Sequence, residues 1–379
     1  MTIIVEHDKE LEDLCAHLKS CEKVGVDLEG DGMYHFREKI CLIQLSDGVS
    51  DWIIDPLKVK KIDKLAPVFF DPKILKIFHG ADYDIKSLYR DYGIVVNNLF
   101  DTEIAARFAG LRLSGLDHLM MDFLGVKTEK KYQKKDWSVR PLPMDMLDYA
   151  AMDSRYLIEI FEILKSRLMK LKRLDWVYEE SSNISEARFV KKTEVPYFTS
   201  FKGAGKLDRR SLAVLEGLLK FRYSIARKKD KPLYKVIPNK TIIKIAERKA
   251  EKENELKSIM SPGHYKRFGS RISGIVQNAM VMPSSGLPSY PKKKKPKHFN
   301  HFSSQRSQCL RKWRTDKSEE LNLEPGIVLN NNLVCEISEK NPRSLGELSQ
   351  IPLKRWQLRE FGKEIIGIIE DSSIKQTDI

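Results

Sequence analysis

The sequence predicts an α/β domain over residues 1–180, followed by an all-helical region. Three observations support this division. Strand-like and helix-like runs alternate as far as residue 180, only helical patterns continue from Leu207, and the helical region contains an internal repeat. The 379 residues are enough for two or three domains of ordinary size.

Runs of apolar and β-branched residues predict short strands at residues 24–28, 40–45, 52–54 and 74–78, with strand-like residues again at 99–100. A helical pattern runs through Asp84 and Leu88 and ends at Gly93, and Asp101 is placed to cap the next helix. Residues 144–171 keep apolar side chains at helical spacing and predict one long helix. Such alternation is typical of helices packed on a sheet.

The helical region contains two copies of one small domain. Phe221-Arg222 recurs as Trp313-Arg314 at an offset of 92, and further matched pairs keep offsets of 92 or 93. We expect the copies at residues 207–282 and 307–371, after a connector at 181–206 and before a tail at 372–379. Residues 283–306 are rich in Pro, Ser and Lys and are expected to link the two copies.

The composition argues against several classes of protein. No apolar run approaches the ~18–20 residues that span a bilayer, and the acidic N-terminus lacks the basic and apolar regions of a signal peptide. The five cysteines form no C-x-x-C pair, which argues against zinc ribbons and disulfide scaffolds. We therefore expect a cytoplasmic protein with no membrane partner.

Charge is divided unevenly along the chain, whose formal net charge is +14. Residues 1–200 carry 30 basic and 34 acidic side chains, whereas residues 201–379 carry 37 and 19, a net charge of +18. This asymmetry favours a polyanion that is held by the second half and processed by the first. Basic surfaces also confer solubility, so charge alone leaves both interpretations open.

Acidic side chains recur in three short motifs of the α/β region. Asp27 and Glu29 stand two apart on a predicted strand and face the same side, as expected for a solvated acidic edge or for a bound cation. Asp84 lies in the first turn of a helix, where acids interact favourably with the helix dipole. Tyr149 and Asp153 stand four apart on a helix and share one of its faces.

In order, these motifs resemble the Exo I, Exo II and Exo III motifs of the DEDD 3′–5′ exonuclease superfamily, and of ribonuclease D in particular. The segments CLIQLSDG at 41–48, FHGADYDIKSL at 78–88 and DYAAMDSRYL at 148–157 are similar to ribonuclease D segments in the same order. The resemblance places the four acids at Asp27, Glu29, Asp84 and Asp153, and Tyr149 identifies the DEDDy branch. The two helical copies resemble HRDC domains, of which ribonuclease D also carries two.

The resemblance implies an α/β ribonuclease H-like exonuclease domain, with a mixed sheet and flanking helices, followed by two all-α HRDC helical-bundle domains. It implies that the four acids hold two divalent ions, Mg²⁺ or Mn²⁺, about 4 Å apart. Tyr149 is expected to orient the attacking water. The sequence offers no His/Cys cluster suited to zinc, and the glycine-rich residues 202–206 lack the spacing of a Walker A motif, so no ATP site is expected.

Six further residues are candidates for contact with the substrate. The resemblance places Lys131 and Arg140 near the substrate, although Arg140 beside a proline is equally suited to a structural role. His79 is expected near the terminal nucleotide or as a structural residue at the end of a strand. Basic residues of the first HRDC domain predict a phosphate-binding surface, with a solvated helix face as the alternative: Arg222, Lys228 and Lys229. The lysine run at 292–295 is interpreted as solvated linker.

The function that the resemblance implies is 3′–5′ hydrolysis of RNA to nucleoside 5′-monophosphates, with transfer-RNA precursors and other structured RNAs with 3′ tails as substrates. Two alternatives stay open. One is a DNA exonuclease of the same superfamily, since no residue visibly reads the 2′ hydroxyl. The other is a non-catalytic RNA-binding protein on this fold, although degenerate relatives usually lose at least one of the acids.

Overall fold

The computed structural model describes residues 2–129, 131–189, 195–291 and 301–374. The described residues divide into two compact units. The first lies within Met1–Gly30, Ile40–Phe189 and Pro296–Ile379, and the second within Asp31–Lys39 and Val190–Lys295. The second helical copy therefore belongs to the same unit as the α/β domain, and a short segment from within residues 1–180 belongs with the first helical copy. The sequence analysis predicted the bounds of the domains but not how they group into compact units.

A six-stranded mixed sheet forms the centre of the first unit. Its strands are Thr2–Val5 (β1), Lys23–Gly30 (β2), Ile40–Ser46 (β3), Asp51–Ile54 (β4), Leu75–Phe78 (β5) and Leu99–Asp101 (β6). They lie in the order β1-β4-β3-β2-β5-β6, with β2 antiparallel to β3 and parallel to β5. The mixed sheet implied by the resemblance is confirmed, and β1 is a strand that the sequence analysis missed.

Helices flank this sheet, and buried apolar clusters lie against both of its faces. Neighbouring residues of β5 show the alternation, because Ile77 joins one cluster and Phe78 the other. The helices of the α/β domain are Asp8–Leu18 (α1), Ala66–Phe70 (α2), Asp82–Tyr92 (α3), Thr102–Phe108 (α4), Leu116–Leu124 (α5), Met144–Arg155 (α6), Leu157–Lys170 (α7) and Leu174–Ser185 (α8).

The prediction of a single helix over residues 144–171 is wrong, because α6 and α7 are separated at Tyr156. The chain passes very close to β2 at this point. A Cβ atom on Gly25 would lie 2.5 Å from the Ser154 carbonyl oxygen and 3.2 Å from the Leu157 Cβ. The break allows α6 to pack on β2, β3 and β4 while α7 packs on α4 and β5.

The described residues after Leu207 are helical or connecting, as the sequence predicted. The first copy contains Arg209–Lys229 (α9), Leu233–Val236 (α10), Asn239–Arg248 (α11), Glu253–Ile259 (α12) and Pro262–Val281 (α13). The second contains His301–Glu320 (α14), Pro325–Val328 (α15), Asn331–Lys340 (α16), Leu345–Leu348 (α17) and Arg355–Ile374 (α18), so its first helix begins inside the expected linker. No helix in the described ranges has both the length and the apolar character needed to cross a bilayer.

The two copies repeat the same hydrogen bonds as well as the same helices. In the first copy, Arg222 donates to the Ile237 carbonyl and to the Asn239 side chain, at 3.1 and 2.6 Å. In the second, Arg314 donates to the carbonyl and the asparagine side chain that lie 92 residues after those partners, both at 2.9 Å. The repeat inferred from residue spacing therefore extends to how each copy ties its long first helix to the turn before its third.

The second copy shares a hydrophobic core with the α/β domain. The rings of Trp176 in α8 and Trp356 in α18 are stacked with their centroids 4.5 Å apart. The Glu179 carboxylate accepts hydrogen bonds from the backbone N–H groups of Arg355 and Trp356, at 2.7 and 3.1 Å. Buried Arg173 donates to the Leu321 carbonyl at 2.8 Å. Through these contacts the second copy packs against the α/β domain and stabilises it.

Candidate active site

The first two acids lie on β2, near the middle of the sheet. Asp27 pairs with Gln44 and Glu29 with Leu42 on the neighbouring strand β3. Because side chains alternate along a strand, both carboxylates stand on one face, whereas Val26 turns to the other and is buried. Packing of the opposite face thus fixes the direction of both carboxylates.

Asp84 is presented by a turn that a neighbouring aspartate holds in place. The turn passes through Gly80, whose φ of +73° disfavours any residue with a side chain, and leads into α3. Asp101 accepts hydrogen bonds from the backbone N–H groups of Gly80 and Ala81, at 3.1 and 2.8 Å, and also from two N–H groups at the start of α4. The interpretation of Asp101 as a helix cap is confirmed, and the same carboxylate fixes the turn before Asp84.

Tyr149 and Asp153 lie one turn apart on α6, which packs on β2. The Tyr149 ring lies nearly parallel to the buried Trp137 ring, with their centroids 6.4 Å apart, and meets the Tyr132 ring edge-on at 5.6 Å. These two aromatic residues hold the tyrosine in position, and the sequence analysis did not assign them to the site. The available signal for Trp137 was KKDWSVRPL at 134–142, a further segment of the sequence that resembles ribonuclease D.

The acids predicted from the sequence come together in the folded chain. Single carboxylate oxygens of Asp27, Glu29 and Asp153 all lie within 4.8 Å of one another. Asp84 is near enough that its charge raises the pKa of both Asp27 and Glu29. Four acids from a strand and two helices thus share one site, with Tyr149 on the same helix face as Asp153.

The site is strongly unfavourable for negative charge unless a cation is present. Burial, and then the charges of neighbouring acids, raise the pKa of Asp27 and Glu29 well above the ordinary range. Burial raises the pKa of Asp84 to about 8 and that of Asp153 to about 7. The four acids that converge here offer carboxylate oxygens as metal ligands, the type that Mg²⁺ and Mn²⁺ prefer. The residues therefore fit a divalent-ion site.

We expect Mg²⁺ to raise the melting temperature much more at about pH 8 than at about pH 5. Folding raises the pKa of these acids, so the metal-free folded state binds more protons and loses stability as the pH rises from about 4 to about 8. A divalent ion stabilises the ionised acids and displaces those protons. Thermal melts with Mg²⁺ or chelator test this, and an equal gain at both pH values would contradict it.

The structure corrects the predicted substrate contact of Arg222, and it gives Arg140 the contacts of the structural role that the sequence analysis left open. All five N–H donors of Arg140 already have acceptors within the protein: both carboxylate oxygens of Asp55 and the carbonyls of Cys41, Trp137 and Val139. Arg222 is buried and donates to partners inside its own helical domain. Both guanidinium groups therefore have structural roles; Arg222 is shielded from solvent, whereas the Arg140 side chain keeps 19% of its surface exposed.

The other four candidates remain predictions. The Nδ1 atom of His79 lies 3.0 Å from the hydroxyl of Thr102, and burial lowers the pKa of the imidazole, which favours its neutral form. Lys131 is exposed, with its Nζ 3.5 Å from a carboxylate oxygen of Asp145. Lys228 and Lys229 are exposed at the end of α9. The lysine run at 292–295 lies outside the described residues.

The fold and the converging acids define a DEDDy-type 3′–5′ exonuclease domain joined to two HRDC domains. The family described as 3′-5′ exonuclease matches residues 2–169, and the HRDC domain family matches residues 211–276 and 303–369. The chain belongs to the ribonuclease D-like family of 3′–5′ exonucleases, which includes RRP6 proteins and generally uses divalent metal ions.

Three similar proteins illustrate the relationship. "Protein RRP6-like 2" of Arabidopsis thaliana is 35% identical over 274 residues, which are 69% of this chain and 31% of the relative. The catalytic core of RRP6 from Trypanosoma brucei has a TM-score of 0.67 and 32% identity, covering 76% of this chain and 81% of that one. Escherichia coli RNase D has a TM-score of 0.73 at 22% identity, with coverages of 98% and 99%, and shares the fold. The chain spans about a third of the length of the curated relatives.

Proposed function

We propose that this chain is a 3′–5′ exoribonuclease that removes nucleoside 5′-monophosphates from RNA with the help of two Mg²⁺ or Mn²⁺ ions. The convergence of Asp27, Glu29 and Asp153 within 4.8 Å, with Asp84 beside them, carries the proposal. A set of carboxylates that raise one another's pKa is costly unless the site binds cations. The intact acids also favour an enzyme over a non-catalytic RNA-binding protein.

In the proposed reaction, the side chains of this protein position the metal ions and the attacking water. The four acids would hold the two ions, which when bound lower the pKa of the attacking water and stabilise charge on the leaving 3′ oxygen. Burial and the neighbouring acids raise the pKa of Tyr149, so its hydroxyl stays protonated at neutral pH. Such a hydroxyl makes a poor general base, and we assign it to orienting the water through hydrogen bonds.

Tyr149→Phe is expected to reduce kcat by about 10²-fold with little change in RNA affinity, because it removes one positioning hydrogen bond but keeps the ring between Trp137 and Tyr132. Single-turnover rates and filter binding on the same labelled RNA separate the two quantities. Tyr132→Phe is the matched control, since the Tyr132 hydroxyl donates to Asp145, which is not one of the four acids of the site. An unchanged rate in the Tyr149 variant would remove the proposed role.

RNA is the substrate class best supported by the relatives. RRP6 proteins are among them, and the E. coli protein of the same fold is described as an exoribonuclease involved in structured RNA processing. We extend this to RNAs with structured bodies and 3′ tails, with transfer-RNA precursors as the first candidates, and to a cytoplasmic location. A DNA exonuclease using the same acids is the second candidate.

A competition between matched RNA and DNA of one sequence decides between the two substrate classes. Both strands carry a label that reports each shortened product, and the reaction is run with Mg²⁺, Mn²⁺ or chelator. Stepwise release of mononucleotides from RNA, with no reaction in chelator, is the expected result. Preferential digestion of DNA would favour the second candidate, and binding without hydrolysis in either metal would favour the non-catalytic alternative.

The second unit offers a cationic cavity of about 640 Å³ for RNA phosphates. Arg37, Arg227 and Lys228 line it together with Tyr223, and none of these three cations forms an ion pair with another described residue. Arg37 comes from the segment Asp31–Lys39, and its backbone N–H is fixed by a hydrogen bond of 2.9 Å to the Asp230 carboxylate. The cavity therefore combines positive charge with a ring that a base can stack on.

Replacing Arg227 and Lys228 together by Ala is expected to weaken RNA binding while leaving the single-turnover rate at saturating protein unchanged. The slope of log affinity against log salt should fall by roughly 0.7 for each RNA phosphate that the variant no longer neutralises. The matched control is the double variant Lys240→Ala and Lys266→Ala, which removes two exposed lysines of the same unit that do not line the cavity. Equal slopes in the test and control variants would argue against this surface.

A further inference from the structure

A histidine, a cysteine and an aspartate converge at a place in the first unit that the proposed reaction does not use. His17 lies in the last turn of α1, Cys21 follows that helix, and Asp47 begins the turn between β3 and β4. The His17 Nε2 atom is 2.8 Å from an Asp47 carboxylate oxygen and 3.8 Å from the Cys21 sulfur. One ligand atom from each residue lies within 4.8 Å of the other two.

These separations are close to those around a tetrahedral transition-metal ion. With bonds of about 2.0 Å to nitrogen or oxygen and about 2.3 Å to sulfur, the nitrogen and sulfur ligands stand roughly 3.6 Å apart and the nitrogen and oxygen ligands roughly 3.3 Å apart. The observed 3.8 Å between nitrogen and sulfur is near the first value. The 2.8 Å between nitrogen and oxygen must widen by about half an ångström, a small movement for a histidine side chain that is 47% exposed.

The aspartate is held in the orientation that a metal ligand needs. Its Oδ1 atom accepts hydrogen bonds from the backbone N–H groups of Val49 and Ser50, both at 2.8 Å. The other oxygen, Oδ2, is the one that faces His17. Outer hydrogen bonds of this kind fix the direction of a ligating carboxylate before the ion arrives. Because His17 is half exposed, the site also has a side open to solvent.

We propose that His17, Cys21 and Asp47 bind a zinc-type divalent transition ion, with a fourth position open to water. Imidazole, thiolate and carboxylate together suit Zn²⁺ or Co²⁺, whereas the catalytic acids offer only oxygen and suit Mg²⁺. The two sites are separate, because Asp47 lies three residues along the chain from Gln44, the partner of Asp27, or about 10 Å at strand spacing. The sequence analysis found no His/Cys cluster suited to zinc, because these three residues are spread over 31 positions and meet only in the fold.

Co²⁺ titration of the full chain in excess Mg²⁺ tests the proposal, because Mg²⁺ occupies the oxygen-only site and Co²⁺ reports its ligands by absorption. We expect one Co²⁺ per chain, with a sulfur-to-cobalt charge-transfer band and the strong visible bands of a tetrahedral ion. Both should disappear in Cys21→Ser and persist in Cys335→Ser, which removes a partly buried thiol elsewhere. His17→Gln should weaken Co²⁺ binding at least tenfold, and Zn²⁺ should displace the bound Co²⁺.

Three results would overturn the proposal: no charge-transfer band in the unmodified chain, the same band in Cys21→Ser, or unchanged affinity in His17→Gln. Any of them would leave a hydrogen bond between His17 and Asp47 with a thiol nearby. Melting curves in chelator check that each variant is folded, and His17→Gln provides an independent decision if Cys21→Ser is unstable. None of these readouts depends on nuclease activity, so the result is independent of the proposed function.

Discussion

Asp27→Asn and Asp153→Asn are each expected to reduce RNA hydrolysis by at least about 10³-fold, while leaving the metal-free protein as stable as before or more so. Loss of a metal ligand removes several kcal/mol of transition-state stabilisation, and about 4 kcal/mol corresponds to 10³ in rate. Burial and neighbouring acids raise the pKa of Asp27, and burial that of Asp153, so a neutral amide relieves an unfavourable charge. A gain in stability with a loss of activity distinguishes a functional acid from a structural one.

Single-turnover hydrolysis of labelled RNA and thermal melts in chelator measure the two effects on the same samples. Asp82→Asn is the matched control, because Asp82 is an exposed acid two residues before Asp84 and forms an ion pair with Lys86. We expect that control to retain its activity. Residual activity above about a tenth in a test variant would place that acid outside the catalytic set, and a loss of stability in chelator would contradict the expected relief of charge.

The predicted acids that the fold brings together obey local rules of spacing. Asp27 and Glu29 share a face because they are two apart on a strand, and Tyr149 and Asp153 because they are four apart on a helix. The repeat was also predictable from the sequence, since the matched pairs keep offsets of 92 or 93 residues. The prediction of a single helix at 144–171 was wrong, because the break at Tyr156 lies where the chain passes close to Gly25, a tertiary contact that no local pattern records.

Arg140 and Arg222 show why substrate contacts were harder to predict. The sequence does not show whether the N–H donors of an arginine face a phosphate or a buried carbonyl, because this depends on partners that are distant in the sequence. Asp55 and Cys41, which accept three of the five hydrogen bonds from Arg140, lie 85 and 99 residues away in the sequence. Conversely, Arg37 lines the cationic cavity but was not among the predicted substrate contacts. Its segment belongs to the same unit as the first HRDC domain, although the residues on either side of it in the sequence belong to the α/β domain.

Because the second HRDC domain shares a core with the α/β domain, we expect a large loss of stability when that core is disturbed. Trp356→Ala is expected to lower the free energy of unfolding of the first unit by about 3–5 kcal/mol, the usual cost of truncating a buried tryptophan. The indole is stacked on Trp176 and donates a hydrogen bond of 2.8 Å to the Glu180 carboxylate. The truncation opens a cavity in the shared core and removes a hydrogen-bond donor from that acid. Against a typical stability of about 5–15 kcal/mol, this is a large fraction.

Trp313→Ala is the matched control, because Trp313 is a tryptophan of the same HRDC domain that packs on Phe361 and donates to Glu364 within that domain. If the two domains unfold together, urea denaturation of the Trp356 variant should shift the loss of Mg²⁺-dependent activity and the loss of helical signal to the same lower concentration. If activity survives while the helical signal of the second copy is lost, the α/β domain is independent of it. The shared core around Trp176 and Trp356 makes the joint transition the expected outcome, because neither domain can release the other without exposing these rings to water.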